Sequence, residues 1–351
     1  MTILVFGSIN MDFVAQVPRL PRAGETLMGH RFSTTAGGKG ANQAVAVARL
    51  GETCQMVGRV GADPHGVALV QRLRDVGVNC RNVRTDSAAS SGAAVIEVSD
   101  SGDNHIVVIP GANGRIDDSD VSRLLPLLPE ASWLLMQLEI PLPAVLAAAQ
   151  AAHRAGVRVM LDPAPAQPLP DELLSVIDLL TPNRTEAEQL TGLSITGLAD
   201  ADAAARRLCA RGVSTVVITL GEQGALYRLS EKQLSEVQLS EVQLSEDSLS
   251  EDSLSGSISV VPAFSVAAVD TVAAGDTFNG ALAVALNRQL APDSSGPSLT
   301  KSLLYDAVRY AAAAAAIAVT RPGAQDSIPQ ASEVEGFLCQ HMSASTLDRN
   351  L

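Results

Sequence analysis

Short apolar runs rich in β-branched residues alternate with alanine-rich runs of helical period along most of the chain, and this alternation most constrains the fold. Four such runs, each leading into a turn and then a helical pattern, are ILVFG from residue 3, VRVMLD from 157, LLTPN from 179 and TVVITLG from 215. The pattern predicts crossover units around a mainly parallel sheet, and thus an α/β fold. In such sheets ligands bind at the carboxyl ends of the strands, so polar residues that follow the strands matter most.

Composition narrows the class of protein. The chain has 351 residues, of which 46% are hydrophobic, enough for one large core or two modest ones. Its net charge of -13 argues against a nucleic-acid partner, because such proteins need basic surfaces. The four cysteines are scattered without metal-ligand spacing, and the first residues read as a strand rather than a leader, so we expect a cytoplasmic protein. The apolar run 311–319 is too short to span a membrane and predicts a buried helix.

Two segments, around 11–18 and 92–111, depart from the α/β pattern because their residues alternate between apolar and polar. The second contains SDSGDN, a hairpin turn by composition, so it predicts two strands. These strands could form a small separate sheet that covers a cleft or pairs with a second subunit. An exposed apolar face on such a sheet would need a partner.

A five-residue repeat on Leu-Ser-Glu fills residues 229–257, and its acidic part, 230–257, contributes -6 of the net charge. A period of five matches neither helix nor strand, so we expect a mobile loop inserted in a domain that covers residues 1–330. An expanded surface hairpin is a simpler explanation than a binding role. Residues 331–351 form a more polar extension, of which we expect the last ten to be loose.

The segment DTVAAGDTFNG, residues 270–280, places Asp276 where an irregular stretch turns into a helix. One interpretation is that Asp276 caps that helix. The other is that the small residues at 273–275 leave N–H groups free to hold a phosphate in transfer, while Asp276 accepts the proton of an attacking hydroxyl. The segment by itself leaves both interpretations open.

The glycine-rich stretch AGGKGANQ, residues 36–43, is neither a Walker motif, which needs Ser or Thr after the lysine, nor a dinucleotide fingerprint. It predicts a turn that presents Lys39 and Asn42 at a helix start, where both can donate to a polyhydroxyl compound. A plain turn into an amphipathic helix is the alternative.

Further polar residues follow apparent strands, and each has an ordinary structural explanation. Asn10 and Asp12 could be turn residues, Glu139 could be a helix-start acid, and Asn183 with Glu186 could form a capping box. Taken together with the two glycine-rich segments, they supply hydroxyl-binding groups, a phosphate cradle and a base. That combination favours phosphoryl transfer to a sugar or another alcohol.

From residue 2 to about 330, apart from the repeat, the chain resembles the ribokinase-like (PfkB) carbohydrate kinases. The resemblance is carried, in the family's order, by GSINMD, GGKGANQAVA, MQLEIP, PAPA, TPNRTEAEQLTG, VITLGEQGA, VDTVAAGDTFNGAL and AAAIAVTRPGAQDSIP. It implies a three-layer α/β sandwich with a small β-sheet lid formed by the two departing segments. It also implies a homodimer that forms through the lid, with sugar and ATP as ligands.

The resemblance implies a role for each matched residue. Asp276 would be the base acting on the 5-hydroxyl of ribose, and Ala273, Ala274 and Gly275 would form the anion hole. Ribose would bind to Asn10, Asp12, Gly38, Lys39, Asn42 and Glu139. Asn183 and Glu186 would serve the nucleotide phosphates and magnesium, Glu186 indirectly, while Thr219, Gly221 and Gly275 would face the nucleotide. Potassium would bind near Asp270, Val272, Ala318, Arg321, Gly323 and Ser327.

This family predicts ATP-dependent phosphorylation of ribose to ribose 5-phosphate. Two departures stand inside its motifs: Ala273 replaces a common glycine without an expected loss of activity, and Arg184 replaces a common acid where it could alter metal or nucleotide affinity. The alternatives are another sugar kinase of the family, above all one for 2-deoxyribose, and a sugar-sensing protein without catalysis. The complete set of base and anion-hole residues counts against the second.

Overall fold

The computed structural model describes residues 1–235, 258–289 and 299–347. Most of the acidic repeat, and the last four residues, lie outside this range. The strands are β1 Thr2–Phe6, β2 Asn10–Val17, β3 Arg31–Gly37, β4 Cys54–Gly61, β5 Asn79–Asp86, β6 Gly92–Ser99, β7 Asn104–Ile109, β8 Ala131–Met136, β9 Arg158–Leu161, β10 Leu179–Leu180, β11 Thr215–Thr219, β12 Ala225–Leu229 and β13 Ile258–Val261. The α-helices are α1 Lys39–Arg49, α2 Pro64–Asp75, α3 Asp118–Leu124, α4 Leu142–Arg154, α5 Asp171–Leu174, α6 Arg184–Thr191, α7 Leu198–Ala210, α8 Ala274–Gln289, α9 Lys301–Val319 and α10 Ala331–Leu347.

The large sheet has nine strands in the order β13-β12-β11-β10-β9-β8-β1-β4-β5. Neighbouring strands are parallel from β11 to β5, and only the pairs β11/β12 and β12/β13 are antiparallel. The mainly parallel sheet predicted from the sequence is therefore confirmed. The run from residue 179 forms only two residues of strand, because the chain turns at Thr181–Asn183 into α6.

Two apolar cores lie on opposite faces of this sheet, because successive strand residues point to opposite sides. Along β1, Ile3 and Val5 pack into the core beneath α1, α2, α8 and α9, whereas Leu4 and Phe6 pack into the core beneath α3, α4 and α7. All four side chains are fully buried. Helices on both faces of one sheet give the three-layer arrangement that the resemblance implied.

The predicted buried helix at 311–319 is the second half of α9. Within the described residues, α9 is the one helix long and apolar enough to cross a membrane, by length and composition only. The apolar run of nine residues thus covers only part of the helix, which spans nineteen residues. Its alanines and Val308 pack against α8 and the sheet, which is the environment of a core helix.

The smaller sheet contains four strands in the order β3-β2-β6-β7. Strands β2, β6 and β7 correspond to the two departing segments, whereas no strand was predicted at β3. Strand β2 lies between β3 and β6, antiparallel to the first and parallel to the second. All six residues of β7 are exposed, among them Ile106 and Val107, and Phe32 on β3 is 65% exposed.

The C-terminal extension contains a helix. Helix α10 begins at Ala331, continues to Leu347, and buries Val334 completely in the core beside α9. The expectation that the last ten residues are loose stays a prediction. The division of the chain at residue 330 stays a prediction.

Candidate active site

The glycine-rich turn before α1 brings backbone close to the start of β2. Gly38 has φ +90°, and a Cβ there would lie 2.6 Å from the backbone nitrogen of Asn10, so only glycine fits. Helix α1 then begins at Lys39 and places Asn42 in its first turn. The predicted turn that presents Lys39 and Asn42 at a helix start is confirmed.

Glu139 accepts hydrogen bonds from two separate segments of the chain, residues 8–10 and the start of α1. Its Oε2 accepts from Ser8 Oγ at 2.5 Å, from the backbone N–H of Lys39 at 3.2 Å and from Asn10 Nδ2 at 3.4 Å. Glu139 lies in the bend between β8 and α4, outside the helix, so its interpretation as a helix-start acid is wrong. Its hydrogen bonds instead connect the loops that follow β1 and β8 to the start of α1.

Asn10 and Asp12 belong to β2 rather than to a turn, so their interpretation as turn residues is wrong. Because residues two apart on a strand share a face, both side chains point to the same side of the small sheet. They are buried, with exposures of 2% and 8%. Two of the sugar-binding residues implied by the resemblance therefore lie on β2, the strand of the small sheet that follows β1 in the chain.

Asn113, which the sequence analysis did not single out, fixes the orientation of Asn10. Its Nδ2 donates to Asn10 Oδ1 at 2.7 Å, and its Oδ1 accepts from the backbone N–H of Ile9 at 3.0 Å. A Cβ at Gly92 would lie about 2 Å from both carboxamides, so glycine leaves room for this pair. The Oδ1 of Asn10 is thus occupied, and its Nδ2 is left to donate toward Glu139 and the cleft.

Asp276 is the third residue of α8, not the residue before the helix, so it is not the N-cap. Its carboxylate accepts from Asn42 Nδ2 at 2.8 Å and from Gln43 Nε2 at 3.3 Å, although both amides lie more than 230 residues earlier in the chain. Asp276 is 6% exposed. These contacts place it beside one of the predicted sugar-binding residues.

The start of α8 is open and offers donors. Gly275 is exposed, and a Cβ there would meet nothing within 4 Å. In the described chain, no hydrogen bond uses the N–H groups of Gly275 or Asp276, so both can donate to an anion. Ala273 has φ +58°, a conformation that glycine adopts more easily, at a cost of about 1 kcal/mol.

Burial and the repulsion between neighbouring carboxylates shift the pKa values of several acidic side chains in this cleft. Burial, with the charges of Glu139 and Asp276, raises the pKa of Asp12 to about 7. Burial also raises the pKa of Asp162, at the end of β9, to about 8, against the effect of Lys39. For Lys39, burial acts to lower the pKa, but Asp162, Asp276 and Glu139 together outweigh burial and raise it. A cluster of carboxylates therefore surrounds one retained ammonium group.

The raised pKa of Asp162 predicts a pH-dependent gain in stability for Asp162→Asn. Between the unfolded pKa of 3.8 and the folded pKa of about 8, the native state binds more protons than the unfolded state, so wild-type stability falls as pH rises. Asparagine cannot ionise but can still accept from Gln43. We expect Asp162→Asn to unfold at a higher temperature than wild type at pH 8, by roughly 2 °C or more, with a smaller difference at pH 5. Thermal unfolding from pH 5 to 9 measures this, and an equal difference at every pH would contradict it.

The segment around α6 lies beside the ends of the sheet strands. Asn183 and Glu186 form a reciprocal capping box, with Asn183 Oδ1 accepting from the N–H of Glu186 at 2.9 Å and Glu186 Oε2 accepting from the N–H of Asn183 at 2.8 Å. The capping interpretation is therefore confirmed, and it does not exclude a second role. Burial raises the pKa of Glu186, and the charges of Lys39 and Asp276 both act on it, so Glu186 lies near the cleft.

Thr219 and Gly221, the predicted nucleotide residues, adjoin this segment. The backbone N–H of Thr219 donates to the carbonyl of Pro182 at 3.0 Å, and Gly221 begins a short turn with φ +60°. Arg184, the unusual residue of the segment, donates to Gln223 Oε1 of that turn at 2.7 Å. Its guanidinium is thus held against the turn after β11.

The residues predicted for potassium are partly brought together. Asp270 accepts from the N–H of Val272 at 3.0 Å and from that of Gly323 at 2.9 Å. Arg321 donates its N–H to the Ala318 carbonyl, and its side chain contacts Glu333. Ser327 donates to the Ala324 carbonyl, and no bond in the described chain joins it to Asp270. The described contacts therefore join Asp270 to Val272 and Gly323, whereas Arg321 and Ser327 contact other partners.

Comparisons with known proteins agree with this geometry. The pfkB family carbohydrate kinases match residues 2–331. The chain is 40% identical over 337 residues to a ribokinase of Haemophilus influenzae, covering 96% of this chain and 98% of the relative. It is also 40% identical to a ribokinase of Schizosaccharomyces pombe, covering 95% and 96%. The structure of an Arabidopsis thaliana ribokinase complexed with ribose and ATP superposes with a TM-score of 0.79 at 32% identity, covering 96% and 98%. This chain belongs to the pfkB family of carbohydrate kinases.

Proposed function

We propose that the protein transfers the γ-phosphoryl group of ATP to the 5-hydroxyl of D-ribose, with Asp276 as the catalytic base. The observation that carries this proposal is the contact of 2.8 Å between Asp276 and Asn42, which joins a candidate base to a candidate sugar-binding amide. The relatives named as ribokinases, and the solved ribokinase that holds ribose and ATP, support ribose and ATP as the substrates.

In the proposed reaction, the sugar lies between β2 and the start of α1. Asn10, Lys39 and Asn42 supply donors, while Asp12 and Glu139 supply acceptors. Together they hold the sugar so that its 5-hydroxyl faces Asp276. Its oxygen attacks the γ-phosphorus in line as its proton passes to Asp276 and the bond to the ADP oxygen breaks. The N–H groups at the start of α8 stabilise the charge on the phosphoryl oxygens.

Magnesium and a monovalent cation belong to the proposal. No three His, Cys, Asp or Glu side chains in the described chain form a metal group by themselves, and magnesium at kinase sites is held largely by phosphates and water. Glu186 would act on it through water. When bound, magnesium neutralises charge on the ATP phosphates. The carboxylate of Asp270 and the carbonyls near Val272 and Gly323 would hold potassium next to the start of α8.

The same proposal includes a cytoplasmic homodimer. Strand β7 presents Ile106, Val107 and Val108 to solvent, with exposures from 45% to 61%. An apolar row of this kind is typical of a surface covered by a partner, and the exposed lid of a second copy offers a matching face. Light scattering of the purified protein distinguishes a dimer from a monomer.

Measurement of ADP release with ATP and magnesium tests the function. Ribose, 2-deoxyribose, fructose and adenosine are compared in potassium and again in sodium alone. We expect the highest kcat/KM with ribose and a higher rate in potassium. Faster turnover of 2-deoxyribose than of ribose would identify 2-deoxyribose as the preferred substrate. Ribose binding without ADP release from any of the four compounds would favour a sugar-sensing protein without catalysis.

A further inference from the structure

Behind Asp276 lies a row of buried amides that the reaction described above does not use. Gln43, on α1, is 1% exposed, and Gln137, which follows β8, is fully buried. Gln137 Nε2 donates to Gln43 Oε1 at 2.6 Å. A Cβ at Gly7 would lie 2.0 Å from Gln137 Oε1, so the neighbouring glycine leaves room for Gln137.

These contacts determine which way the Gln43 amide points. Because its oxygen accepts from Gln137, its nitrogen must face the other side, where it donates to Asp162 Oδ2 at 2.9 Å and to Asp276 Oδ1 at 3.3 Å. An amide nitrogen carries two hydrogens, so it can serve both carboxylates at once. A reversed amide would place its oxygen against the carboxylate of Asp276 and its nitrogen against the donor of Gln137.

We propose that Gln43 is a positioning residue that holds the carboxylate of Asp276 toward the sugar, and that Gln137 fixes Gln43 in the orientation required. This inference rests on the proposed role of Asp276 as base. Asn42 Nδ2 binds the other carboxylate oxygen of Asp276 at 2.8 Å, so the two amides together fix both oxygens. A fixed carboxylate places its acceptor lone pair where the hydroxyl proton arrives.

Removal of Gln43 should also change the pH dependence of turnover, since hydrogen bonds to a carboxylate favour its charged form. The other charged groups that act within this cluster are Asp12, Lys39, Glu139, Asp162 and Glu186. Among them, Asp162 alone also loses a hydrogen bond in a Gln43 variant. A shift in the acid limb of the rate profile would therefore report on the lost amide.

The test compares Gln43→Leu and the longer, unbranched Gln43→Met with Gln137→Leu. We expect kcat to fall about 10-fold or more in both Gln43 variants, with less than about a 3-fold change in the KM for ribose. We expect the acid limb of kcat/KM to move up by about 0.5 to 1 pH unit, and Gln137→Leu to shift both quantities in the same direction by less. Gln71→Leu is the matched control, because Gln71 donates to Asp75 at 2.7 Å on an exposed helix face.

Thermal unfolding with and without ribose shows whether each variant is folded. If Gln43→Leu does not fold, Gln43→Met still allows the role of Gln43 to be tested. An unchanged acid limb in a folded Gln43 variant would overturn the positioning role. Asp276→Asn is measured in parallel, because full turnover in that variant would show that Asp276 is not the catalytic base. A loss confined to Asp276→Asn would leave the base in place and reject only the role of Gln43.

Discussion

Asp276→Asn is expected to reduce kcat about 1000-fold while ribose affinity changes little. Asparagine has nearly the same shape, and its oxygen can still accept from Asn42, which donates to Asp276 at 2.8 Å. It cannot accept the proton of the sugar hydroxyl, and general-base catalysis contributes on the order of 10² to 10⁴ in rate. ADP release measures kcat, and calorimetry measures ribose binding to the same preparation.

Asp75→Asn is the control for this change, because it makes the same replacement at an exposed position on α2. It should leave turnover at the wild-type value. If Asp276→Asn kept more than about a tenth of wild-type kcat, a positioned base at this residue would be rejected, since the expected loss is at least 100-fold.

Asn10→Ala is expected to raise the KM for ribose about 10- to 100-fold and to lower kcat much less. The side chain is almost fully buried between Asn113, which donates to its Oδ1, and Glu139, which accepts from its Nδ2. Loss of a buried hydrogen-bonding group costs about 1–3 kcal/mol, which corresponds to this range of affinity. Steady-state kinetics with ribose as the varied substrate separate the two effects.

The effect of Asn10→Ala should be specific to the sugar, so the KM for ATP should stay within about 3-fold of wild type. Asn104→Ala, at the exposed start of β7, is the matched control. Equal losses in the affinities for sugar and ATP would point to a general distortion of the cleft and would contradict a sugar-binding role for Asn10.

The sequence predicted the large sheet well because its strands carry strong local signals. Runs such as TVVITLG are apolar, β-branched and followed by turn residues, and these properties depend on neighbours only a few positions away. Strand β3 was missed because RFSTTAG mixes apolar and polar residues, six of its seven residues are at least partly exposed, and its pairing with β2 is set by tertiary contacts.

The residues of the candidate site also fall into two groups, those that the local sequence identifies and those that depend on tertiary contacts. Asp276 and Lys39 stand beside glycines in short motifs, so the local sequence marks them. Asn113 and Gln137 each form their decisive hydrogen bonds about 100 residues away along the chain. A buried amide has no pattern of its own, and Asn113, in the run PGANG, looks like an ordinary turn residue. Only the packed structure reveals what such a residue orients.

The placement of β2 has a consequence for how such a protein can acquire a new substrate. Asn10 and Asp12 lie on a strand of the lid sheet, whereas Asp276 and the open N–H groups belong to α8, which is anchored in the core. In the proposed reaction, part of the sugar recognition and the transfer of phosphate thus belong to separately built parts of one chain. Substitutions along β2 and its neighbours can alter which alcohol is accepted, while the machinery that activates it is inherited unchanged.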